Sequence, residues 1–240
     1  MAGNKDTESI RNELLKKTEM DPYKHDGSYE LMKATVEAYA KMGNLSELDY
    51  KDLNLLYAVT LGTWKLSLDK KKEAVRESHL PEENKAELIR LWDEVWEKTC
   101  NGEYENGNSI GMFGTGFYSF EKKTTPEDVR AFIQMCVDLL PMTDDEQMFD
   151  RAGEVLNSSF HGMQAASASM ILHCLKPKTF PILNANMGNQ NIFEPLGVQL
   201  TQPKQLDTYI DNCRKIKTYR DENFEIKNYR IFDINFLIFT

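Results

Sequence analysis

Residues 160–175, FHGMQAASASMILHCL, join a glycine-centred turn to a helix start of small side chains and then an apolar run. Such a turn exposes the backbone N–H groups of Met163 and Gln164 at a helix N-terminus, where a phosphate group binds favourably. Ala165, Ala166, Ser167 and Ala168 allow another backbone or helix to approach closely, and they equally suit a tightly packed buried helix. Downstream, Asn184 and Asn186 each carry a donor and an acceptor that could read a base edge, or else cap the next helix. Between residues 204 and 230, Arg214, Lys215, Lys217, Arg220, Lys227 and Arg230 interleave with Tyr209, Tyr219, Phe224 and Tyr229. With Lys176 and Lys178 these cations could line a groove of positive potential. Asp207, Asp211, Asp221 and Glu222 lie among them, which fits a solvated helix face as well.

Other chemistries find less support. Cys100, Cys136, Cys174 and Cys213 form no CxxC pair and no Cys/His group with zinc spacing, so they read as buried thiols in a reducing compartment. His25, His79 and His173 read as ordinary surface or core histidines, while His161 sits in the turn before the small-residue helix. GMFGTG lacks the lysine of a phosphate-binding P-loop and is not a GxGxxG fingerprint after a strand. No metal or cofactor is therefore expected.

The elements that must hold these residues are helical. Leu31, Thr35, Ala38 and Met42 share one face of a helix over 28–42, with Ser28 as its cap. A second helix over 52–66 gathers Leu55, Leu56, Val59, Thr63 and Leu66, and a third over 82–98 aligns Leu88, Leu91, Trp92, Val95 and Trp96. Trp64, Trp92 and Trp96 fit either a binding cage or core packing. Five of the 13 glycines fall between residues 101 and 118 and mark a loop or short hairpin. Thr125-Pro126-Glu127-Asp128 then opens a helix to Leu140, stopped by Pro141. Further helices are expected over 144–156, 163–175, 204–220 and 228–238, and sustained strand alternation is scarce.

The 240 residues suffice for one large or two small domains with a substantial core. No apolar run spans a bilayer and the first residues have no signal-peptide pattern, so the expected location is cytoplasmic and no membrane partner is expected. The net charge is −9, but residues 151–240 hold 10 Lys and Arg against 8 Asp and Glu, a balance of +2 that leaves −11 in the first 150. Contact with a polyanion belongs in the last 90 residues, where local repulsion is least.

Phe160 to Ala168 resembles a degenerate form of the L-P-G-[VI]-G-x-x-T-A hairpin of the helix-hairpin-helix DNA glycosylases. Gly162 matches the first hairpin glycine, Met163 the apolar residue after it, and Ser167-Ala168 the T-A pair; Gln164 stands where that family has its second glycine. The resemblance continues through the apolar Leu172–Leu175, through Phe180-Pro181 and through Leu183-Asn184-Ala185-Asn186-Met187, in the family's order. It implies a module without glycosylase chemistry. The family's catalytic acid aligns with Asn184, which cannot supply a carboxylate's charge, and its Schiff-base lysine aligns with Ala166. A hairpin of this kind binds duplex backbone without a catalyst and can hold an extruded base.

From about Leu53 to the end the chain also resembles the N-terminal recognition region of McrB-like modification-dependent restriction proteins. GMFGTGFYSF, the stretch from Phe160 to Phe193, and TYIDNCRKIKTYRDENFEIKNYRIFDI carry this resemblance. It implies double-stranded DNA as partner, with modified cytosine as the candidate target, alongside an AAA+ GTPase motor and a nuclease subunit. Neither Walker motif nor a nuclease carboxylate cluster occurs in these 240 residues.

The expected architecture is mainly α: a helical bundle with an acidic part over 1–100, a Gly-rich hinge over 101–124 and a helix-hairpin-helix glycosylase-like part over 125–240. The expected function is non-catalytic DNA binding. Gly162, Met163, Gln164 and Ser167 would hold the backbone, Lys176, Lys178, Arg214, Lys215 and Lys217 the phosphates, and Asn184 and Asn186 a base. Two rivals stand beside it: an active glycosylase or lyase using Asp150, Glu154 or Glu194, and a helical protein-interaction scaffold without nucleic acid.

Overall fold

Local capping signals set most helix starts. Asp49 accepts a hydrogen bond from the Lys51 N–H at 2.8 Å while Asp52 reaches back to the Asp49 N–H at 3.0 Å, a reciprocal cap that opens a helix at Tyr50. Thr125 accepts from the Asp128 N–H with Pro126 as the first helical residue, and Asp144 accepts from the Gln147 N–H. The computed structural model describes residues 8–9, 12, 21–24, 27–61, 65–104, 120–183, 193–194, 196–223 and 229. These residues form a mainly helical protein, with no strand among them. The α-helices are α1 (Ser28–Met42), α2 (Tyr50–Thr60), α3 (Lys65–Glu77), α4 (Glu82–Cys100), α5 (Pro126–Leu139), α6 (Asp145–Val155), α7 (Ala165–Leu175) and α8 (Tyr209–Asn223).

Several expectations shift. Ser28 is a buried residue inside α1, whose N-cap is Gly27 without a side-chain cap bond. The helix expected over 52–66 ends at Thr60, because Leu61 is extended and turns its N–H back to the Ala58 carbonyl. The chain re-enters a helix at Lys65, where the charge-rich sequence KLSLDKKKEAVRE hides a buried edge of Leu68, Lys71, Ala74 and Val75. The helix expected over 204–220 begins at Tyr209 and runs to Asn223. Cys136, Cys174 and Cys213 are buried thiols as expected, and burial pushes Cys136 and Cys213 above the usual thiol range. Cys100, the last residue of α4, is exposed. Most of the Gly-rich stretch (105–119), Trp64, and the expected helix over 228–238 except Tyr229 lie outside the described residues.

The chain divides into two compact units. One comprises Tyr23–Thr143 with Ser159–Met163, and the other Met1–Pro22, Asp144–Ser158 and Gln164–Thr240. In the first, α1 packs on α2, α4 and α5, α3 packs on α2 and α4, and α2 on α5. Trp92 is fully buried there with the Lys71 ammonium 4.9 Å from its ring centre, which makes it a core residue. In the second, α6 packs on α8. Phe180 bridges Phe149 of α6 and Tyr209 of α8, with ring centres 5.7 and 6.4 Å away, and the Tyr209 hydroxyl donates to the Pro181 carbonyl at 2.9 Å. Helix α7 is buried from Ala168 to Leu175, and His173 Nδ1 lies 2.7 Å from the Phe180 carbonyl, a core histidine as its apolar setting implies.

Candidate nucleic-acid interface

The hairpin residues fall in both units, and each part has its own local cause. In the first unit Phe160 packs on Phe132, with ring centres 6.0 Å apart. The His161 N–H and ring Nδ1 both lie 3.3 Å from Asp128 Oδ2, the oxygen that also accepts from the Thr125 hydroxyl at 2.9 Å. Gly162 has φ +84, and a Cβ there would sit 2.4 Å from the Lys123 carbonyl oxygen and 2.7 Å from Thr124 Oγ1. Its bare face is thus spent on the Lys123 carbonyl and the Thr124 hydroxyl, for which only glycine leaves room. Met163 is buried.

In the second unit Gln164 is an exposed, extended N-cap whose side chain makes no cap bond, and its carbonyl accepts from Ser167 and Ala168. The Ala165 N–H donates to the Lys204 carbonyl at 3.3 Å, while the Ala166 N–H has no partner among the described residues. The start of α7 is therefore a helix N-terminus with small side chains, a half-buried Ser167 and one N–H, that of Ala166, left over among the described residues. Lys204 is exposed and its backbone stands against that terminus. Nothing in the sequence points to Lys204, because 39 residues separate it from Ala165.

The expected phosphate-binding cations separate into two groups. Lys178 is exposed, on a backbone fixed by the Arg220 guanidinium, which donates to its carbonyl at 2.7 Å; Lys176 is half-buried. Those on α8 are already engaged. Arg214 reaches Glu146 with Nε at 3.1 Å and Asp150 with Nη2 at 2.6 Å, and its guanidinium lies 5.8 Å from the Phe149 ring centre. Lys217 bonds Asp221 at 3.0 Å and lies 3.7 Å from Glu146; the Asp221 bond raises it above the usual lysine value. Lys215 donates to Thr201 Oγ1 at 2.6 Å and to the Gln199 carbonyl at 3.1 Å. Arg220 turns inward, pairing with Asp145 and Asp221 and lying over Tyr229. Asn184 and Asn186 lie outside the described residues.

The acids of the glycosylase alternative do not gather. Asp150 is held by Arg214 and Glu154 by Arg151, both carboxylates facing solvent, and Glu194 is exposed beside Val198 and Gln199. Asp49, Asp52 and His79 of the first unit bring ligand-type atoms within 4.8 Å of one another. Asp52, however, already accepts from the Tyr39 hydroxyl, the His79 N–H and the Asp49 N–H, and its Oδ2 lies 2.7 Å from His79 Nδ1. Its lone pairs are filled by that hydrogen-bonded cap. No protein-family model, no curated protein and no solved structure matches this chain.

Proposed function

We propose that this chain is a non-catalytic DNA-binding module, the base-reading part of a modification-dependent restriction system, with a helix-hairpin-helix glycosylase-like C-terminal part. The observation that carries the reading is the start of α7: an uncapped helix N-terminus of small residues flanked by the exposed Lys204. An anion would meet the Ala166 N–H and the positive end of the helix dipole there, with the exposed Lys204 next to it in the fold, a combination that suits a backbone phosphate. Lys178 adds a second exposed cation in the same unit. Ala166 and Asn184 supply neither amine nor carboxylate, so the bound nucleotide would be read and left intact.

Fluorescence anisotropy with a labelled duplex tests this. The wild-type chain should bind with an affinity that falls as salt rises. Lys178→Glu and Lys204→Glu should each weaken binding to every duplex alike and lower the salt slope by roughly one. Binding that ignores salt and both substitutions would overturn it. One observation favours the scaffold reading instead: Arg214 and Lys217 are tied to carboxylates of their own unit, as in a helix pair built only for stability. The scaffold reading predicts no duplex binding at any salt.

A further inference from the structure

We propose that Glu146 and Asp150 of α6 are specificity-determining residues that withhold Arg214 and Lys217 from the DNA backbone. The inference rests on the DNA-binding reading above and concerns which duplexes are refused. A module that must find a rare modified base is hindered by every cation it offers to ordinary phosphates, since phosphate attraction is independent of sequence.

The geometry fits a built-in competitor. Glu146 and Asp150 stand four residues apart on one face of α6 and present their carboxylates to two different nitrogens, Nε and Nη2, of the Arg214 guanidinium. Glu146 also faces Lys217, so one α6 carboxylate serves both cations, while Asp211 and Asp221 of α8 complete the ring of acids around them. The Phe149 ring under the guanidinium keeps Arg214 in place. The Arg214 pairs are open to solvent, with the side chains of Arg214, Glu146 and Asp150 37%, 54% and 74% exposed, while Lys217 is 25% exposed. Exposed pairs are weak and exchange readily, so a phosphate can replace a carboxylate once other contacts hold the DNA in register. Arg220, on the same helix, shows the opposite case. At 1% exposure and bound to Asp145, Asp221 and the Lys178 carbonyl, it belongs to the core and is unable to change partners.

Glu146→Gln/Asp150→Asn is the direct test, measured with an unmodified duplex at several salt concentrations. Its affinity should rise about three- to tenfold and its salt slope should steepen by roughly one to two as Arg214 loses both α6 carboxylates and Lys217 keeps only Asp221. Adding Arg214→Gln/Lys217→Gln should abolish that gain. Asp207→Asn/Glu222→Gln removes the same charge from exposed acids elsewhere in this unit and should give little of the gain. An equal gain from that control, or a lowered melting temperature with unchanged affinity and slope, would overturn the proposal. Should wild type and variants all fail to bind at low salt, the DNA-binding reading falls and takes this inference with it; binding without any gain removes this inference alone.

Discussion

Asp52 of the first unit and Arg214 of the second each tie helices together with polar bonds, yet they are built for different ends. Asp52 is wholly buried and filled from all sides by Tyr39, His79 and its own helix cap, so it has nothing left for a ligand. Arg214 is more than a third exposed and held by carboxylates that water or a phosphate can replace. The lesson is that a cluster of charged side chains becomes a binding element only where its pairs can be exchanged; the same chemistry under full burial is architecture.

Substitutions at the two ends of that contrast should differ widely in cost. Asp52→Ala strands the buried Tyr39 hydroxyl and the part-buried donors of His79 and Asp49 and should destabilise the protein by about 2–4 kcal/mol in chemical unfolding. A loss under about 1 kcal/mol would show that water replaces the carboxylate and that the contrast is overdrawn. Gly162→Ala forces a Cβ into the Lys123 carbonyl at a left-handed φ and should cost roughly 2–4 kcal/mol, read the same way. Arg214→Gln should change stability by less than about 1 kcal/mol, since its pairs are solvent-facing.

The smallest effect is a pH dependence at Asp221. Although burial works to raise it, hydrogen bonds from Lys217 and Arg220 hold its carboxyl below the usual value. Its stabilising contribution is therefore complete above the unfolded carboxylate pKa and disappears as pH falls through the lower, folded value. Asp221→Asn should flatten the acid limb of melting temperature against pH, below roughly pH 4, and leave the neutral region parallel to wild type.

What the sequence discloses follows the range of each interaction. Thr125-Pro126 and Asp144 announce α5 and α6 because a cap and its helix are neighbours in the chain. The apolar spacing of Leu31, Thr35 and Ala38 likewise fixes the buried face of α1. Helix α3 is concealed because Lys71 occupies a core position beneath Trp92, where the pattern leads one to expect an apolar residue. Gly162 stands out as a turn glycine, but its partners at 123–124 are some forty residues away and leave no local mark. The same holds for Arg214, whose carboxylates lie 64 and 68 residues back, and for Lys204 beside α7. Residue types that bind phosphate were legible; which of them stay available was decided by packing.

The proposal that the chain reads DNA and leaves it chemically intact calls for one comparison: its binding to otherwise identical duplexes carrying cytosine, 5-methylcytosine or 5-hydroxymethylcytosine. The comparison is made at two salt concentrations with a parallel assay for abasic product. Salt-sensitive binding, tighter for one of the modified duplexes and with no abasic product, is the expected result. Abasic product would contradict the absence of chemistry, and no binding to any of the three duplexes would contradict the reader itself.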